Sequence, residues 1–264
     1  MYAFDYHRPA SLHEAAILLA DHGDNKLLAG GMSLIPSLKL RLNRHPALVD
    51  LGALHAMRGI HREGNALVIG AMTPHALVAA SAEVRNTLPA LADLAEGIGD
   101  PLVRNRGTLG GSLANADPAA DYPAGVVGLG ATVITNQRRI AGDNFFTGVF
   151  ETALLPGEII TAVHFPLADK AAYAKYRQPA SRFAIVGVFV AKTGNSVRVA
   201  VTGAGPAVFR LAAAEAALAL HFAPSALDGI TLNAADLNAD IHASAEYRAH
   251  SVIEMARRAV LAAR

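Results

Sequence analysis

Hydrophobic and polar positions alternate along this chain in short blocks of two kinds. Ser11-Leu12-His13-Glu14 sets a hydroxyl three residues before a carboxylate, ahead of Ala15, Ala16, Ile17, Leu18 and Leu19. That capping box predicts a helix, with Gly23 placed to end it. Lys26 to Ala29 reads as a short strand running into Gly30-Gly31, Ser33 to Pro36 opens a second helical segment, and Ala47 to Leu51 is strand-like. Ala66 to Ala71 predicts another strand. Thr73-Pro74 reads as an N-cap followed by proline at the first helical position, with the helix running through Ala80. A further helix is predicted over Leu88 to Glu96.

Later blocks lengthen. Pro123 to Leu129 is small and apolar, Ala131 to Ile134 and Arg139-Ile140 suggest strands about a polar turn, and Glu158 to Phe165 is a strand candidate. Pro166 to Lys170 interrupts the pattern and is the predicted domain boundary. Beyond it, Phe183 to Ala191 and Ser196 to Thr202 flank Lys192-Thr193-Gly194-Asn195, a hairpin with glycine in its turn. Leu211 to Phe222 and Ala245 to Arg264 are alanine-rich helices. The C-terminal part therefore predicts an antiparallel sheet covered by helices, an α+β arrangement.

Composition narrows the function classes. With 264 residues, 52% of them hydrophobic, the chain can bury a substantial core. Lys plus Arg number 23 against 22 Asp plus Glu, so a net charge of +1 gives no long-range attraction to nucleic acid or anionic lipid. No apolar run has the length of a membrane span. MYAFDYHRP lacks the basic and apolar regions of a secretory signal, which leaves a cytoplasmic location as the expectation. The chain has no cysteine, which excludes disulfides, a thiol nucleophile and a thiolate-held iron–sulfur cluster of its own. None of the 11 histidines pairs with a carboxylate at zinc-site spacing.

Two glycine-bearing segments carry the candidate chemistry: Ala29-Gly30-Gly31-Met32-Ser33 and Thr108-Leu109-Gly110-Gly111-Ser112. Either alone is ordinary turn punctuation. Together they offer two runs of main-chain N–H groups that could clamp a diphosphate. Other readings fail. There is no GxxxxGK, Gly203-Ala204-Gly205 lacks the third glycine of a dinucleotide fingerprint, and Ile35 and Ala114 stand where GxSxG needs its closing glycine.

These residues also carry a resemblance. AGGMSLIPSLKLRL (Ala29 to Leu42), RGTLGGSLANADPAADYPA (Arg106 to Ala124) and YAKYRQPASRFAIV (Tyr173 to Val186) resemble, in order and spacing, the FAD-binding medium subunit of the molybdenum hydroxylases. That family includes the carbon monoxide dehydrogenase medium subunit and the xanthine dehydrogenase flavin domain. The resemblance implies an α+β chain: an FAD-binding domain of the vanillyl-alcohol-oxidase type over 1–166, with α/β subdomains 1–55 and 56–166, then a smaller C-terminal domain over 167–264.

Residue by residue, the resemblance assigns Ala29, Gly30, Gly31, Met32 and Ser33, with Leu34 beside them, to one wall of a site for the FAD diphosphate. Thr108, Leu109, Gly110, Gly111 and Ser112 form the other wall, and Asn115 follows. Asp121 matches an aspartate that contacts the cofactor, accepting from sugar hydroxyls or loop amides; a capping role is the alternative for Asp117 and Asp121. Ile98 matches an apolar or aromatic position near the cofactor and Ile160 an apolar position against the flavin, with ordinary core packing as the alternative for both. Lys175 and Arg177 compete for a basic contact, and Phe183 stands where some relatives place a tyrosine near the isoalloxazine ring, keeping the aromatic face without the hydroxyl.

The implied function is electron transfer with noncovalent FAD. A large molybdenum–pterin subunit oxidises substrate, a small subunit with two [2Fe-2S] clusters conducts, and FAD passes electrons to an external acceptor, the whole expected as a dimer of heterotrimers. No catalytic acid or base and no metal ligand is nominated on this chain. The alternatives are a self-contained flavin oxidoreductase of the same fold, disfavoured because His22 and His45 lie outside the motif, and a non-catalytic nucleotide-binding module whose glycine segments are only turns.

Overall fold

Three larger sheets and a two-stranded ribbon, Phe146–Gly148 with Glu151–Thr152, are packed with helices; the computed structural model describes residues 1–264. The first sheet is parallel, with Ala47–Asp50 between Asp5–His7 and Lys26–Leu28. The second has five antiparallel strands in the order Ile60–Glu63, Ala66–Gly70, Ile160–Pro166, Thr132–Thr135 and Arg139–Ala141. The third is an antiparallel run of Lys170–Arg177, Ala184–Thr193, Ser196–Thr202 and Phe209–Arg210. The C-terminal hairpin turns at Gly194, whose φ of +56° is the left-handed conformation that glycine adopts freely.

Most predicted elements are present with shifted ends. The first helix spans Leu12–Asp21, and Ser11 accepts from the Glu14 amide, while Glu14 reaches back to the amide of Ala10 rather than that of Ser11. Proline at 74 occupies the cap position of helix His75–Ala80, one place earlier than the sequence suggested. Thr73 does not cap that helix: its buried hydroxyl bonds the amide and carbonyl of Gly59. The short helices Ala82–Thr87 and Pro101–Arg106 and the edge strands Asp5–His7 and Ile60–Glu63 escaped the periodicity reading, because blocks of three to six residues complete too little of either period.

One difference concerns the candidate site directly. Thr108 to Ser112, expected as a loop, is the start of a helix, Leu109–Asn115. Thr108 is its N-cap and its hydroxyl accepts from the Gly111 amide at 3.2 Å. Its glycines pack rather than turn: a Cβ on Gly110 would lie 2.6 Å from that of Ala71.

Two apolar clusters fill the interior, and the strand Ala184–Thr193 belongs to both. Its Phe189 and Ala191 point into the first, with Leu91, Leu94 and Leu113, while Val186, Val188 and Val190 point into the second, with Val252, Ala256 and Val260 of the last helix, Ala245–Ala262. Period-two alternation thus binds the C-terminal sheet to helices on both faces. Helix Tyr122–Gly128 comes close enough for a Cβ on Gly128 to meet the Phe189 ring at 2.7 Å. No helix is long and apolar enough to cross a membrane.

The turn leading into the strand Ile160–Pro166 is fixed by a buried carboxylate. Glu158 accepts from Arg138 at 2.9 and 3.0 Å, from the Thr135 hydroxyl at 2.7 Å and from the Leu155 amide at 2.8 Å. The Arg138 hydrogen bonds, joined by the other donors, hold its carboxyl down at about 2 against the opposing effect of burial. A carboxyl depressed in the folded state stabilises the fold above its unfolded value of about 4.5, and that contribution disappears as pH falls through the folded value. Replacing Glu158 with Gln is therefore expected to destabilise the chain at neutral pH and to flatten its stability between pH about 4.5 and 2, measured by urea unfolding. An unchanged acid profile would show that Glu158 is not so linked. Phe189→Ala, which empties a fully buried ring position shared by both halves, is expected to cost about 3–5 kcal/mol in the same measurement.

Candidate functional site

The two glycine segments, 75 or more residues apart in sequence, lie against each other. A Cβ on Gly30 would fall 2.1 Å from the Arg106 carbonyl oxygen and 2.8 Å from Gly107 Cα, so only glycine permits this approach of backbone to backbone. A Cβ on Gly111 would meet Thr108 Oγ1 at 2.8 Å and Ala29 Cβ at 3.5 Å. The sequence reading brought these segments together for a different reason, that missing side chains expose amides to a ligand. At Gly30, Gly110 and Gly111 the space of the missing Cβ is instead taken by the protein itself.

The amides divide unequally between the walls. On the second, Leu109 donates to Thr73 O, Gly110 to Ala71 O, Gly111 to Thr108 Oγ1 and Ser112 to Thr108 O. On the first, none of the five amides from Ala29 to Ser33 donates to any group of the chain, and neither does that of Thr108. Gly31, at φ +74°, turns the chain between the strand Lys26–Leu28 and the helix Leu34–Lys39, whose N-cap Ser33 makes no side-chain capping bond. Ala29 to Met32 are half-buried and Ser33 is exposed; buried amides without partners are rare, so such a run marks a place for an acceptor. No carboxylate occurs between Asn25 and Val49 or between Arg104 and Ala116, whereas Lys39, Arg41, Arg44, Arg104 and Arg106 do. Donor supply and charge both suit a diphosphate.

The remaining expected residues fall into three groups. Ser112 and Asn115, half-buried near the cradle, make no side-chain hydrogen bonds within the chain, and Leu34 and Ile98 are half-buried apolar neighbours. Leu109 and Ile160 are core residues, 0% and 5% exposed. Phe183 is exposed on the wall of a cavity of about 410 Å³ that Asp117, Phe150 and Arg248 also line. Met32 is half-buried in the first segment, and Arg177 is exposed without a hydrogen-bond or ion-pair partner.

Asp121 and Lys175 form the third group, and the structure gives them to each other. Asp121 is 5% exposed; its Oδ1 accepts from Tyr173 Oη at 2.6 Å and its Oδ2 from Lys175 Nζ at 3.1 Å, with Nζ 2.9 Å from Oδ1 in the ion pair. It sits at the N-cap of Tyr122–Gly128 without capping it, while Asp117 accepts from the Ala119 amide in a local turn. Tyr173 and Lys175 share one face of strand Lys170–Arg177, and Gly187 opposite leaves room for the tyrosine ring. Burial raises the Asp121 carboxyl above the ordinary carboxylate range, opposed first by the Lys175 charge and then by the Tyr173 hydroxyl. Asp121 thus bonds protein groups from the C-terminal sheet rather than loop amides.

Sequence reasoning missed several residues of this region. Tyr173 was seen only as part of a motif, although its i, i+2 relation to Lys175 is the strand signal that pairs them. His75 lies under Gly107, where a Cβ would meet its Nε2 at 2.6 Å, and its amide donates to Gly107 O at 3.0 Å. Burial, with the Arg104 charge adding, lowers His75 to about 4, so the ring is neutral at neutral pH. Its Nδ1 and the neighbouring Tyr122 hydroxyl are buried without hydrogen-bond partners. No cluster of three or more His, Asp or Glu side chains suits a metal ion.

Comparison with known proteins agrees with this geometry. Residues 2–168 match the family model described as the FAD binding domain in molybdopterin dehydrogenase. The carbon monoxide dehydrogenase medium chain of Hydrogenophaga pseudoflava is 36% identical over 281 residues, covering 98% of this chain and 96% of the relative. The nicotine 6-hydroxylase medium subunit of Paenarthrobacter nicotinovorans is 34% identical, covering 99% and 97%. Among solved structures, carbon monoxide dehydrogenase from Hydrogenophaga pseudoflava, in a form lacking the Mo-pyranopterin moiety, superposes with a TM-score of 0.89 at 35% identity, over 99% of this chain and 97% of that one. With five unpaired amides braced by a second glycine segment, and with this likeness over nearly its full length, the chain belongs to the family of FAD-binding domains of molybdopterin dehydrogenases.

Proposed function

We propose that this chain holds FAD by its diphosphate on the Ala29 to Ser33 amides, and that it is the flavin subunit of a heteromeric molybdenum hydroxylase. The observation that carries the reading is the run of five main-chain donors without partners, pressed against the Thr108 cap, with no carboxylate in either stretch of sequence, 25–49 or 104–116. The Thr108 amide, the Ser112 hydroxyl and the Asn115 side chain supply further donors. Leu34, Ile98 and Phe183 offer apolar surface, and Arg177 is an unpaired cation on the strand Lys170–Arg177. Leu109, Gly110, Gly111 and Ile160 shape the site from behind, as their amides or side chains are already committed. The proposal divides the chain at 166/167 into an FAD-binding domain with subdomains 1–55 and 56–166 and a C-terminal domain of 167–264.

FAD supplies electron acceptance one at a time and release in pairs. The chain's own residues bind and orient it, and no side chain is needed as acid or base for electron transfer. Molybdenum–pterin and [2Fe-2S] clusters belong to partner subunits, as is consistent with a chain that has no cysteine. The relatives are named as medium chains of carbon monoxide dehydrogenase and nicotine 6-hydroxylase, and a large and a small partner subunit complete the proposed complex. A cytoplasmic compartment is part of the proposal, and fractionation of the native host tests it.

The decisive experiment is isolation of the native complex. Heat is expected to release FAD in a 1:1 ratio to this chain, with molybdenum and iron recovered alongside. A complex without flavin, or one that releases FMN, would overturn the reading. ADP, which carries the diphosphate, is expected to compete with FAD for the chain, and FMN, which lacks it, to compete at least about tenfold less well. Gly30→Ala, whose methyl would drive into the Arg106 carbonyl, is expected to lower flavin content at least about tenfold. Gly23→Ala, with open space around it, is expected to leave flavin content unchanged. Equal flavin in both variants would remove the cradle from the site.

A further inference from the structure

We propose that the surface formed by Tyr2, Leu40, Arg41 and Leu42, with Lys39 and Arg44 at its edge, is the docking site for the iron–sulfur subunit, which meets it with carboxylates set around an apolar depression. This rests on the flavin-subunit reading above. Leu40 and Leu42 are each 71% exposed, and Tyr2 is 44% exposed. The Arg41 and Arg44 guanidinium groups lie over the Tyr2 ring, 5.7 and 5.8 Å from its centroid, so these side chains make one surface. Lys39, Arg41 and Arg44 are exposed without an ion-pair partner, and residues 25–49 contain no carboxylate.

The backbone holds these side chains outward. At the end of the helix Leu34–Lys39 the Arg41 amide donates to Leu38 O at 3.1 Å and the Leu42 amide to Ser37 O at 2.9 Å, with Arg41 left-handed at φ +59°. Such a closure ordinarily has glycine in the left-handed place and packs the apolar residue after it against the third-last residue of the helix. Here arginine takes the place of glycine. The third-last residue is Ser37, whose hydroxyl bonds Leu34 O and the Asn43 side chain, so it offers Leu42 no apolar partner. A left-handed residue other than glycine, flanked by two exposed leucines, works against local stability, and departures of this kind gather at functional sites.

Charge and place together select the occupant. Three unpaired cations within residues 39–44 favour an acidic partner and repel a basic one. The leucines supply an apolar centre to be desolvated, and tyrosine and arginine are the residue types that carry most binding energy at protein interfaces. The helix that bears this surface has six residues, a rise of about 9 Å, and starts beside the Ala29 to Ser33 amides. A subunit seated at its far end therefore stands close to the bound flavin dinucleotide, where a donor of electrons to the flavin has to be. Of the two partners in the proposed complex, the iron–sulfur subunit is that donor.

The test uses the native assembly, expressed with the photocrosslinker p-benzoylphenylalanine in place of Leu40 or of Leu42. Irradiation is expected to join this chain to the iron–sulfur subunit, identified by mass spectrometry. A product with the large subunit or with a second copy of this chain, or no product from either position, would overturn the proposal. Leu40→Ser combined with Leu42→Ser, both at exposed positions, is expected to keep the urea midpoint and the FAD content of the chain while the iron recovered with it falls at least about tenfold. Unchanged iron in that variant counts against the docking site. Arg44→Glu is expected to lower iron recovery and Arg44→Lys, which keeps the charge, to preserve it; equal iron in the two would rule out an acidic partner face. Sedimentation of the wild-type chain with vesicles of phosphatidylcholine and phosphatidylserine, lost in the double serine variant, would assign the surface to a membrane and overturn the proposal. If the wild-type assembly holds no flavin, the cofactor reading fails, while the crosslink still decides the docking site.

Discussion

The close approach of two stretches of main chain, Gly30 against Arg106 and Gly107, is the contact on which the site depends. It places a carbonyl where any other residue would carry its first side-chain carbon. Because that carbonyl closes one side of the segment, the amides of Ala29 to Ser33 are turned away from the rest of the chain and find no acceptor in it. Unsatisfied donors are unfavourable in a folded protein, by roughly 1–3 kcal/mol each where they are fully buried. Five in succession without a partner in the chain leave room for an acceptor from outside.

The second glycine segment serves the first. Its amides are spent within the protein, on Thr73, Ala71 and Thr108, and its glycines let the helix Leu109–Asn115 settle on Ala71 and beside Ala29. One motif donates and the other buttresses, although the two look equivalent as sequences. The same asymmetry holds for the charged residues. Asp121 and Lys175 sit near the site yet point into the interior, where opposite charge and hydrogen bonds offset the desolvation of each. Their ion pair connects strand Lys170–Arg177 to the residue before helix Tyr122–Gly128.

This division of labour suits a subunit that moves electrons. Nothing in the region resembles an acid–base pair: His75 is buried and neutral, the Tyr122 hydroxyl is raised by burial, and the one close carboxylate is tied to an ammonium. What the fold supplies is a close fit between the segment that leaves the parallel sheet and the 106–112 segment. The strand Ala184–Thr193 holds the two apolar clusters together, with Phe189 and Ala191 facing one and Val186, Val188 and Val190 the other.

The sequence by itself determined the local features. The Ser11 cap, the strand–glycine–helix passage through Lys26 to Lys39, the hairpin at Gly194 and the apolar period of the last helix all depend on interactions within a few residues, and each was legible. So was the pairing of the two glycine segments, through the motifs that carry the family resemblance. Only the tertiary structure decided how those segments are used. Whether an amide is free and what takes the place of a missing Cβ depend on residues from other parts of the chain: Thr73 and Ala71 for Leu109 and Gly110, Arg106 for Gly30, and Lys175 in the ion pair of Asp121. The chain order records the presence of these groups, but their partners are set by packing, since hydrogen bonds and close contacts form only between groups that the fold has already brought within a few ångströms.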